Sequence, residues 1–303
     1  MILVVGGTGN LGQPVVLQLL AEGKAVRVMT REPLRASKLQ AAGAQVVKGD
    51  LRDAQSLKQA TQGARIVVSS SHALLSGRAN SSRLVDDTGQ HALIHAAEQA
   101  GVEQFVFVSA LGASPSHPID FWRTKARIEE FLRTRSLRFT IVRPSAFIGL
   151  HAYDLIGKPV VNGKPVIMFG AGTQLINYVA ESDVATLLIS AIDNSAMDGQ
   201  TIEIGGPDNL SAHQIVQIFE KLSGRTARVV HVPLLIPRVL SGLIQPMHEG
   251  IGRLLKASAN LPKQDMTFDP RALLSRYPRT LTRLEDWAHD RVARQNLEDR
   301  PSQ

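Results

Sequence analysis

The chain has 303 residues, of which 44% are hydrophobic and 20% are charged, a composition that predicts a globular protein with a sizeable core. It contains no cysteine, which excludes disulfides, thiolate metal sites and a cysteine nucleophile. The formal net charge is +7, but no basic run carries interleaved aromatic residues, so we expect no nucleic-acid partner.

The sequence also disfavours membrane insertion and metal binding. No apolar run approaches the roughly 18–20 residues that span a bilayer, and the first residues lack the basic leader of a signal peptide. The histidines are scattered, and no H-E-x-x-H motif occurs. We therefore expect a cytoplasmic protein with no membrane span and no bound metal.

The first half of the sequence alternates short apolar runs with helical patterns. Strands that are apolar on both faces, each followed by a helix, predict an α/β fold with a parallel sheet that helices cover on both sides, the doubly wound Rossmann fold. The predicted strands are residues 2–5, 25–30, 44–48, 65–69, 104–109 and 138–143, and the predicted helices are residues 11–22, 34–42, 54–62, 83–100 and 121–135.

The pattern changes after about Gly149, where glycine and proline cluster at Gly157-Lys-Pro and Gly163-Lys-Pro. We expect two domains, a Rossmann domain over residues 1–150 and a smaller, irregular substrate lobe over residues 151–303. Part of residues 178–205 is expected to pack back on the first domain. The second half predicts helices at 181–193 and 211–223 and strands at 201–204 and 228–232, with Ser211 and Gln214 forming a capping box.

The most specific motif is the glycine-rich loop between the first strand and the first helix. Gly6, Gly9 and Gly12 form G-x-x-G-x-x-G, in which each glycine has its own task. Gly6 permits a tight turn, Gly9 lets the backbone approach a pyrophosphate, and Gly12 lets the helix pack closely on the sheet. Free amides at the helix start then face the phosphate charge. The motif predicts a dinucleotide bound by Gly6, Thr8, Gly9, Asn10, Leu11 and Gly12.

The end of the second predicted strand distinguishes the two nicotinamide dinucleotides. An acidic residue there binds the ribose hydroxyls of NAD, whereas an arginine suits the 2′-phosphate of NADP. Arg31 stands at this position and can fork onto a phosphate, and Lys38 follows one helix face further on. Glu32 is the counter-argument, because it takes the acidic role if the register slips by one residue. We expect NADPH as the cofactor, with NAD less favoured.

Two further loops follow predicted strands and are expected to contact the same cofactor. After the third strand, Asp50 would accept a hydrogen bond from the adenine amino group, and Leu51 would pack on the adenine ring. After the fourth strand, Ser69 and Ser70 would border the ribose and the nicotinamide. His72 is a candidate proton carrier in the same loop, although a loop histidine is more often incidental.

These residues, in this order and spacing, resemble the atypical short-chain dehydrogenase/reductases, and among them the NmrA-like and quinone-oxidoreductase-like branch that binds NAD(P)H. The resemblance covers nearly the whole chain and is firmest over residues 1–149. It rests on the segments Gly6-Gly-Thr-Gly-Asn-Leu-Gly12, Gly49-Asp-Leu51, Phe105-Val-Phe-Val-Ser109, Lys125-Ala-Arg-Ile-Glu129, Val142-Arg-Pro-Ser-Ala-Phe147 and Tyr178-Val-Ala-Glu-Ser-Asp183-Val-Ala.

The resemblance implies a catalytic set that this chain carries only in part. In the wider superfamily a serine ends the fifth strand and orients the substrate, and a Tyr-x-x-x-Lys motif follows on the next helix. The tyrosine protonates a carbonyl, while the lysine lowers the pKa of the tyrosine and binds the nicotinamide ribose. Ser109 and Lys125 match this pattern, but Phe121 stands where the tyrosine is expected. The resemblance also implies that Phe147 lines the pocket near the nicotinamide.

Phe121 has no hydroxyl and so cannot act as the general acid, which leaves three consequences open. The acceptor could need no protein acid, as when hydride reaches a quinone whose product takes protons from water. The protein could instead bind the cofactor without turnover, as the resemblance to NmrA-type regulators implies. Or another side chain could replace the tyrosine, the candidates being His72, His117, His151 and Tyr153.

Two hypotheses about function therefore compete. The first is an NADPH-dependent oxidoreductase that reduces a small, fairly apolar acceptor such as a quinone or an activated carbonyl. The second is a non-catalytic NADP(H)-binding regulator or assembly factor with a protein partner, and a homodimer is compatible with either. Epimerase or lyase chemistry is a weaker third hypothesis, because those relatives also depend on the tyrosine.

One apolar segment, within residues 233–261, is not explained by cofactor binding. It predicts a helix that is too short to span a membrane and that is flanked by Arg238 and Arg253. A pocket lid, a partner interface, a buried core helix and a surface that meets an apolar substrate or a membrane are all compatible with it. Its apolar residues are Leu234, Leu235, Ile236, Val239, Leu240, Leu243 and Ile244.

Overall fold

Short runs of apolar, mostly β-branched residues form the strands in the computed structural model of the chain, which describes residues 1–72, 83–244, 248–260 and 264–298. In chain order the strands are β1 (Ile2–Val5), β2 (Val26–Thr30), β3 (Gln45–Lys48), β4 (Ile66–Ser69), β5 (Gln104–Val108), β6 (Arg138–Pro144), β7 (Ala146–Phe147), β8 (Val166–Phe169), β9 (Ile176–Val179), β10 (Gln200–Ile204), β11 (Asn209–Leu210) and β12 (Val229–Val232).

Seven of these strands form one sheet in the order β10-β6-β5-β4-β1-β2-β3, and the neighbouring pairs from β6 to β3 are all parallel. The chain therefore moves outward from β1 in one direction through β2 and β3, and in the other through β4, β5 and β6. Ligands of doubly wound sheets bind where this order reverses, at the carboxyl ends of the strands. The arrangement confirms the predicted fold class and directs attention to the ends of β1 and β4.

Helices flank the sheet and complete the alternating pattern. In chain order they are α1 (Gly12–Ala21), α2 (Ser37–Ala41), α3 (Ala54–Thr61), α4 (Gly89–Gln99), α5 (Asp120–Arg133), α6 (Lys158–Val161), α7 (Glu181–Ser190), α8 (Ala212–Ser223), α9 (Leu235–Ile244), α10 (Glu249–Asn260), α11 (Arg271–Arg276) and α12 (Leu284–Glu298). Within the described ranges, none of these helices combines the length and the apolar character needed to cross a membrane.

Two helices of the first half differ from their predicted form. The predicted helix 34–42 is divided into a 3₁₀ turn, Pro33–Ala36, and α2. The 3₁₀ turn begins at proline, whose fixed φ and missing N–H suit the first turn of a helical segment. The predicted helix 83–100 begins with a π-helical segment, Arg83–Thr88, before α4. The other strands and helices of residues 1–144 lie within two residues of their predicted bounds.

The backbone of the chain divides into two units, each with its own core. The first unit comprises residues 1–144, 184–203 and 243–254 and contains the seven-stranded sheet. Its core combines side chains of the strands with those of the covering helices, which explains why the strands are apolar on both faces. Leu3, Phe105, Phe107, Ile128 and Leu132 are among its fully buried side chains.

The second unit comprises residues 145–183, 204–242 and 255–303 and contains two small sheets. Strands β7, β9 and β11 form one sheet, and β8 pairs with β12 in parallel to form the other. The core of this unit includes Tyr153 and Phe219. Helix α8 begins with the predicted capping box, in which the Ser211 hydroxyl accepts from Gln214 N at 3.3 Å and Gln214 Oε1 accepts from Ser211 N at 2.8 Å.

Candidate cofactor and active site

A cleft of about 300 Å³ opens in the first unit where the strand order reverses. Its walls come from segments that follow β1, β2, β3 and β4, so it lies at the carboxyl ends of the strands, where a doubly wound sheet binds its ligand. The lining residues are Val5, Gly6, Thr8, Gly9, Met29, Thr30, Arg31, Glu32, Arg35, Gly49, Asp50, Leu51, Ser70, Ser71, His72 and Val85.

Two glycines of the loop after β1 are required by the protein's own backbone. Gly6 has φ = +91°, and a Cβ atom there would lie 2.7 Å from the amide nitrogen of Ser71. A Cβ atom at Gly12 would overlap the carbonyl oxygen of Gly6. Neither position therefore accepts a side chain, and the loop lies tightly against the end of β4 and against the start of α1.

Gly9 differs from these two glycines because a side chain there would meet fewer atoms of the protein. Among the described residues, a Cβ atom at Gly9 would have a single neighbour within 4 Å, the carbonyl oxygen of Gly6 at 3.3 Å, and the φ of Gly9 lies outside the left-handed region. Gly9 also lines the cleft. The described part of the folded chain therefore does not itself require glycine at this position. A ligand that approaches the backbone closely would require it, because a side chain would occupy the same space.

The first turn of α1 presents backbone amides that no side chain caps. The N-cap residue, Leu11, makes no side-chain hydrogen bond, and the first turn contains no acidic residue. In the loop, Gly9 N donates to Gly6 O and Gln13 N donates to Gly9 O, both at 3.0 Å. The amides at the helix start and the positive end of the helix dipole fit an anionic group such as a diphosphate.

Two arginines line the wall of the cleft beyond β2. Arg31 follows the strand directly, and Arg35 lies four residues later in the 3₁₀ turn. Glu32 lies between them, with its Oε1 4.0 Å from Arg35 Nη1 and both side chains largely exposed, so this ion pair is weak. Lys38 is exposed and is not among the lining residues. Sequence reasoning missed Arg35 and named Lys38 instead. The tight 3₁₀ turn brings Arg35, four residues after Arg31, to the cleft.

Asp50 and Leu51, which follow β3, line the neighbouring wall, and their contact with an adenine stays a prediction. Arg52 donates to the Asp50 carboxylate from Nε (3.0 Å) and from Nη2 (2.5 Å). This hydrogen bonding lowers the pKa of the Asp50 carboxyl group, and the charge of Arg31 adds to the effect. Asp50 is therefore an ionised acceptor that already holds one guanidinium group.

The serines at the end of β4 have different orientations. Ser69 is fully buried, and its hydroxyl donates to Gln90 Oε1 at 2.9 Å. The Gln90 side-chain amide in turn donates to Ser71 Oγ at 2.9 Å. Ser70 and Ser71 line the cleft, whereas Ser69 does not, so its hydroxyl holds the loop in place through Gln90.

Lys125 is a buried cation on α5. Its Nζ donates to the carbonyl oxygen of Val108 at 2.8 Å and lies 4.8 Å from the ring centroid of Phe107. Burial lowers the pKa of the Lys125 ammonium group to about 8, although the charges of Asp86 and Glu129 oppose this shift. A buried amine with a strongly perturbed pKa is typical of functional sites, although structural ion pairs also perturb pKa values.

Ser109 donates its hydroxyl hydrogen to a buried carboxylate. The distance from Ser109 Oγ to Glu129 Oε1 is 2.5 Å, and Arg143 donates to both oxygens of Glu129 from Nε (2.8 Å) and Nη2 (2.7 Å). Arg133 adds a third donor at 3.1 Å. In this structure Ser109 stabilises a buried charge, a network that sequence reasoning missed, and its role in orienting a substrate stays a prediction.

His72 lines the cleft and lies near the side chains of α5. Its ring centroid is 6.5 Å from that of Phe121, in an edge-to-face arrangement. Desolvation by the surrounding protein lowers the pKa of the His72 imidazole, and the charge of Lys125 adds to this effect, while Asp86 opposes it. The neutral imidazole, which donates one hydrogen bond, is therefore the favoured form at pH 7.

The remaining candidates for a proton donor, His117, Tyr153 and His151, each have a different set of contacts. His117 stacks on the neighbouring indole ring, with the centroids 4.7 Å apart. Tyr153 belongs to the core of the second unit, where its hydroxyl donates to Gln295 Oε1 at 2.7 Å. His151 Nδ1 accepts from the backbone amide of Phe147 at 3.0 Å, also in the second unit. His117 is not among the described residues that line the cleft of the first unit, and Phe147 lies on β7 in the second unit.

Known proteins share both the sequence pattern and the fold. The sequence profile of the NmrA-like family matches residues 1–288. Photosystem II assembly factor Ycf39 of Guillardia theta is 29% identical over 97% of this chain and 94% of its own length. NAD(P)H azoreductase of Xenophilus azovorans is 29% identical over 77% of this chain and 78% of its own length. The NADPH-dependent quinone oxidoreductase QOR2 of Escherichia coli, solved with NADPH, has a TM-score of 0.75 at 19% identity and covers 98% of this chain and 100% of its own, which shows a common fold.

The pKa of Lys125 predicts that the protein becomes more stable as the pH rises above about 8. Its amine titrates near 10.5 in the unfolded chain and near 8 in the folded protein, so between these pH values the unfolded chain binds more protons. Over this interval the unfolding free energy of the wild type should rise by about 3 kcal/mol relative to that of Lys125→Met.

Urea unfolding of both proteins at several pH values measures this difference. Lys58→Met, at an exposed position of α3, is the matched control and should follow the wild type at every pH. A difference between wild type and Lys125→Met that stays constant from pH 8 to 10.5 would contradict the assignment of a buried, partly deprotonated amine.

Proposed function

The chain belongs to the NmrA-like family, and on that basis we propose that it is an NADPH-dependent oxidoreductase that transfers hydride to a small apolar acceptor such as a quinone or an activated carbonyl. The observation that carries the proposal is Gly9, which lines the cleft and whose added Cβ would meet a single atom of the described residues, next to a helix start that its N-cap residue does not cap. A loop of this shape binds a diphosphate through its backbone, and nicotinamide dinucleotides carry such a group.

The residues present fit a nicotinamide dinucleotide. The glycine loop lines the cleft with Gly6, Thr8 and Gly9, and the first turn of α1 behind it contains no acidic side chain that would repel a phosphate. Arg31 and Arg35 supply two guanidinium groups at the position where a 2′-phosphate distinguishes NADP from NAD. An azoreductase that uses NAD(P)H among the relatives, and a neighbour of like fold solved with NADPH, support this assignment.

When bound, the reduced cofactor supplies the hydride, and the chain's own residues bind and orient the cofactor and the acceptor. In this proposal Lys125 contributes a donor to the nicotinamide ribose, as the resemblance implies. His72, neutral at pH 7, donates a hydrogen bond to the acceptor oxygen that gains negative charge when hydride arrives. Phe121 supplies no proton, so the reduced acceptor takes its proton from water, which favours quinone-like acceptors over simple ketones.

A second candidate function is a cofactor-binding assembly factor or regulator without turnover. Two observations favour it, namely Phe121 in place of the expected tyrosine and the assembly factors among the sequence relatives. In that case the same cleft binds NADP(H), and a protein partner responds to the bound state. Binding of the cofactor is common to both candidates, so measurements of turnover distinguish them.

The arginines predict a preference for NADPH over NADH. Arg31→Ala and Arg35→Ala should each weaken NADPH binding by about tenfold, because each removes a charge-assisted hydrogen bond to the 2′-phosphate. NADH binding should change little, since NADH lacks this phosphate. Calorimetric titration with both cofactors measures the effect, and Lys38→Ala, which alters an exposed side chain outside the cleft lining, is the matched control. Equal losses for both cofactors would contradict a 2′-phosphate site.

Turnover is tested by mixing the purified protein with NADPH and a panel of quinones and azo compounds and following the loss of NADPH absorbance. We expect oxidation with at least one acceptor. His72→Leu should then lower kcat by about a hundredfold with little change in KM, because it removes a donor to charge that develops only in the transition state. His117→Leu is the control. Tight NADPH binding without oxidation by any acceptor would favour the assembly-factor candidate instead.

A further inference from the structure

Helix α9 carries its apolar side chains on the side that faces away from the protein. Its buried residues are Pro237 and Ser241, whereas five apolar side chains are between 37% and 69% exposed. With 3.6 residues per turn, these five cover an arc of about 140° on the side opposite to the buried pair. A surface helix normally turns its apolar stripe toward the core, so α9 has the reverse arrangement. The exposed residues are Leu235, Ile236, Val239, Leu240 and Leu243.

The small parallel sheet that precedes α9 in the chain also exposes two apolar side chains. Val230 on β12 and Ile167 on β8 are neighbours in the register of the sheet, and both are exposed. Only two residues separate the end of β12 from the start of α9. The second of these, Leu234, lies against Gly170 at the end of β8, since a Cβ atom there would be 3.2 Å from Leu234 Cδ2. We call Ile167, Val230 and the five exposed residues of α9 the apolar patch.

The two segments of sequence that carry the apolar patch are basic. Residues 155–180 contain two lysines, and residues 221–248 contain one lysine and three arginines, while neither segment contains aspartate or glutamate. Four of these cations, which lie on or beside the elements that carry the patch, have exposed side chains. They are Lys164, Arg225, Arg228 and Arg238.

From these observations we infer that the apolar patch is a docking site for an anionic lipid surface, with α9 lying in the plane of the interface. An apolar helix face bordered by lysine and arginine is the pattern of helices that bind one leaflet. None of the described helices can span a bilayer, so the contact is with a single leaflet. The inference does not rest on the proposed enzymatic function.

A second copy of the chain fits the apolar patch less well. A symmetric dimer places the same surface of each copy against the other, so the exposed cations beside the patch, Arg238 among them, would approach their counterparts and repel. The patch has seven apolar residues, whereas a stable interface engages roughly 20–30 residues on each side. A lipid surface requires neither a larger patch nor a complementary shape.

Sedimentation with vesicles tests the inference on the full chain. The wild type should sediment with vesicles of phosphatidylglycerol and phosphatidylcholine in equal parts and should stay in solution with phosphatidylcholine alone. The double variant Leu235→Gln/Leu243→Gln should bind the anionic vesicles at least about tenfold more weakly, because two side chains no longer leave water on binding. Arg238→Gln should weaken binding about fivefold, and added salt should weaken binding of the wild type.

Leu17→Gln is the matched control, because Leu17 is a comparably exposed leucine on α1, outside the apolar patch. It should bind vesicles like the wild type, and all variants should keep the wild-type urea midpoint and NADPH affinity. Failure of the wild type to bind anionic vesicles would overturn the inference, as would equal binding by the double variant. A wild-type dimer that the double variant converts to a monomer would also overturn it, because the patch would then join two copies.

Discussion

The close approach of the glycine loop to the end of β4 is the contact on which the cofactor site depends. Because Gly6 and Gly12 have no side chain, the loop turns within contact distance of Ser71 and of its own carbonyl group. The N-cap residue of α1, Leu11, makes no side-chain hydrogen bond that would cap the amides of the first turn. A helix start in this condition stabilises an anion, so the binding capacity belongs to the backbone and not to a particular side chain.

Helix α5 carries the chemistry that accompanies this loop. Phe121 lies close to two titratable groups, with its ring centroid 5.7 Å from Lys125 Nζ and 6.5 Å from the ring centroid of His72. One turn further along, Glu129 pairs with Arg133 and Arg143 and accepts a hydrogen bond from Ser109. An amine and an imidazole therefore lie beside the ring of Phe121, which has no hydroxyl of its own. This combination supports hydride transfer to an acceptor that needs no protein acid, and it is equally compatible with binding alone.

Much of the fold and the position of the cleft could be predicted because both depend on local patterns. Strand length, apolar runs and glycine spacing are read within a few residues, and the ends of parallel strands meet at one edge of a sheet. Side-chain directions were harder to predict. Ser69 is buried and its hydroxyl bonds to Gln90, which lies 21 residues away in the sequence. Arg35 reaches the cleft through a 3₁₀ turn, and the periodicity of the sequence does not show that this turn is tight. For α9 the spacing predicts an apolar stripe, but only tertiary contacts decide that Pro237 and Ser241 face inward.

Calorimetric titration of Gly9→Ala with NADPH tests most directly whether the backbone of this loop binds the cofactor. Among the described residues, a methyl group at Gly9 meets one backbone oxygen, at a tight 3.3 Å, so the variant should fold with a slightly lowered urea midpoint. Its affinity for NADPH should nevertheless fall by at least about tenfold, because the methyl group occupies the space that the diphosphate needs. Gly242→Ala, at a glycine of α9 with open space around it, should bind like the wild type. Unchanged affinity in a folded Gly9→Ala protein would contradict the account.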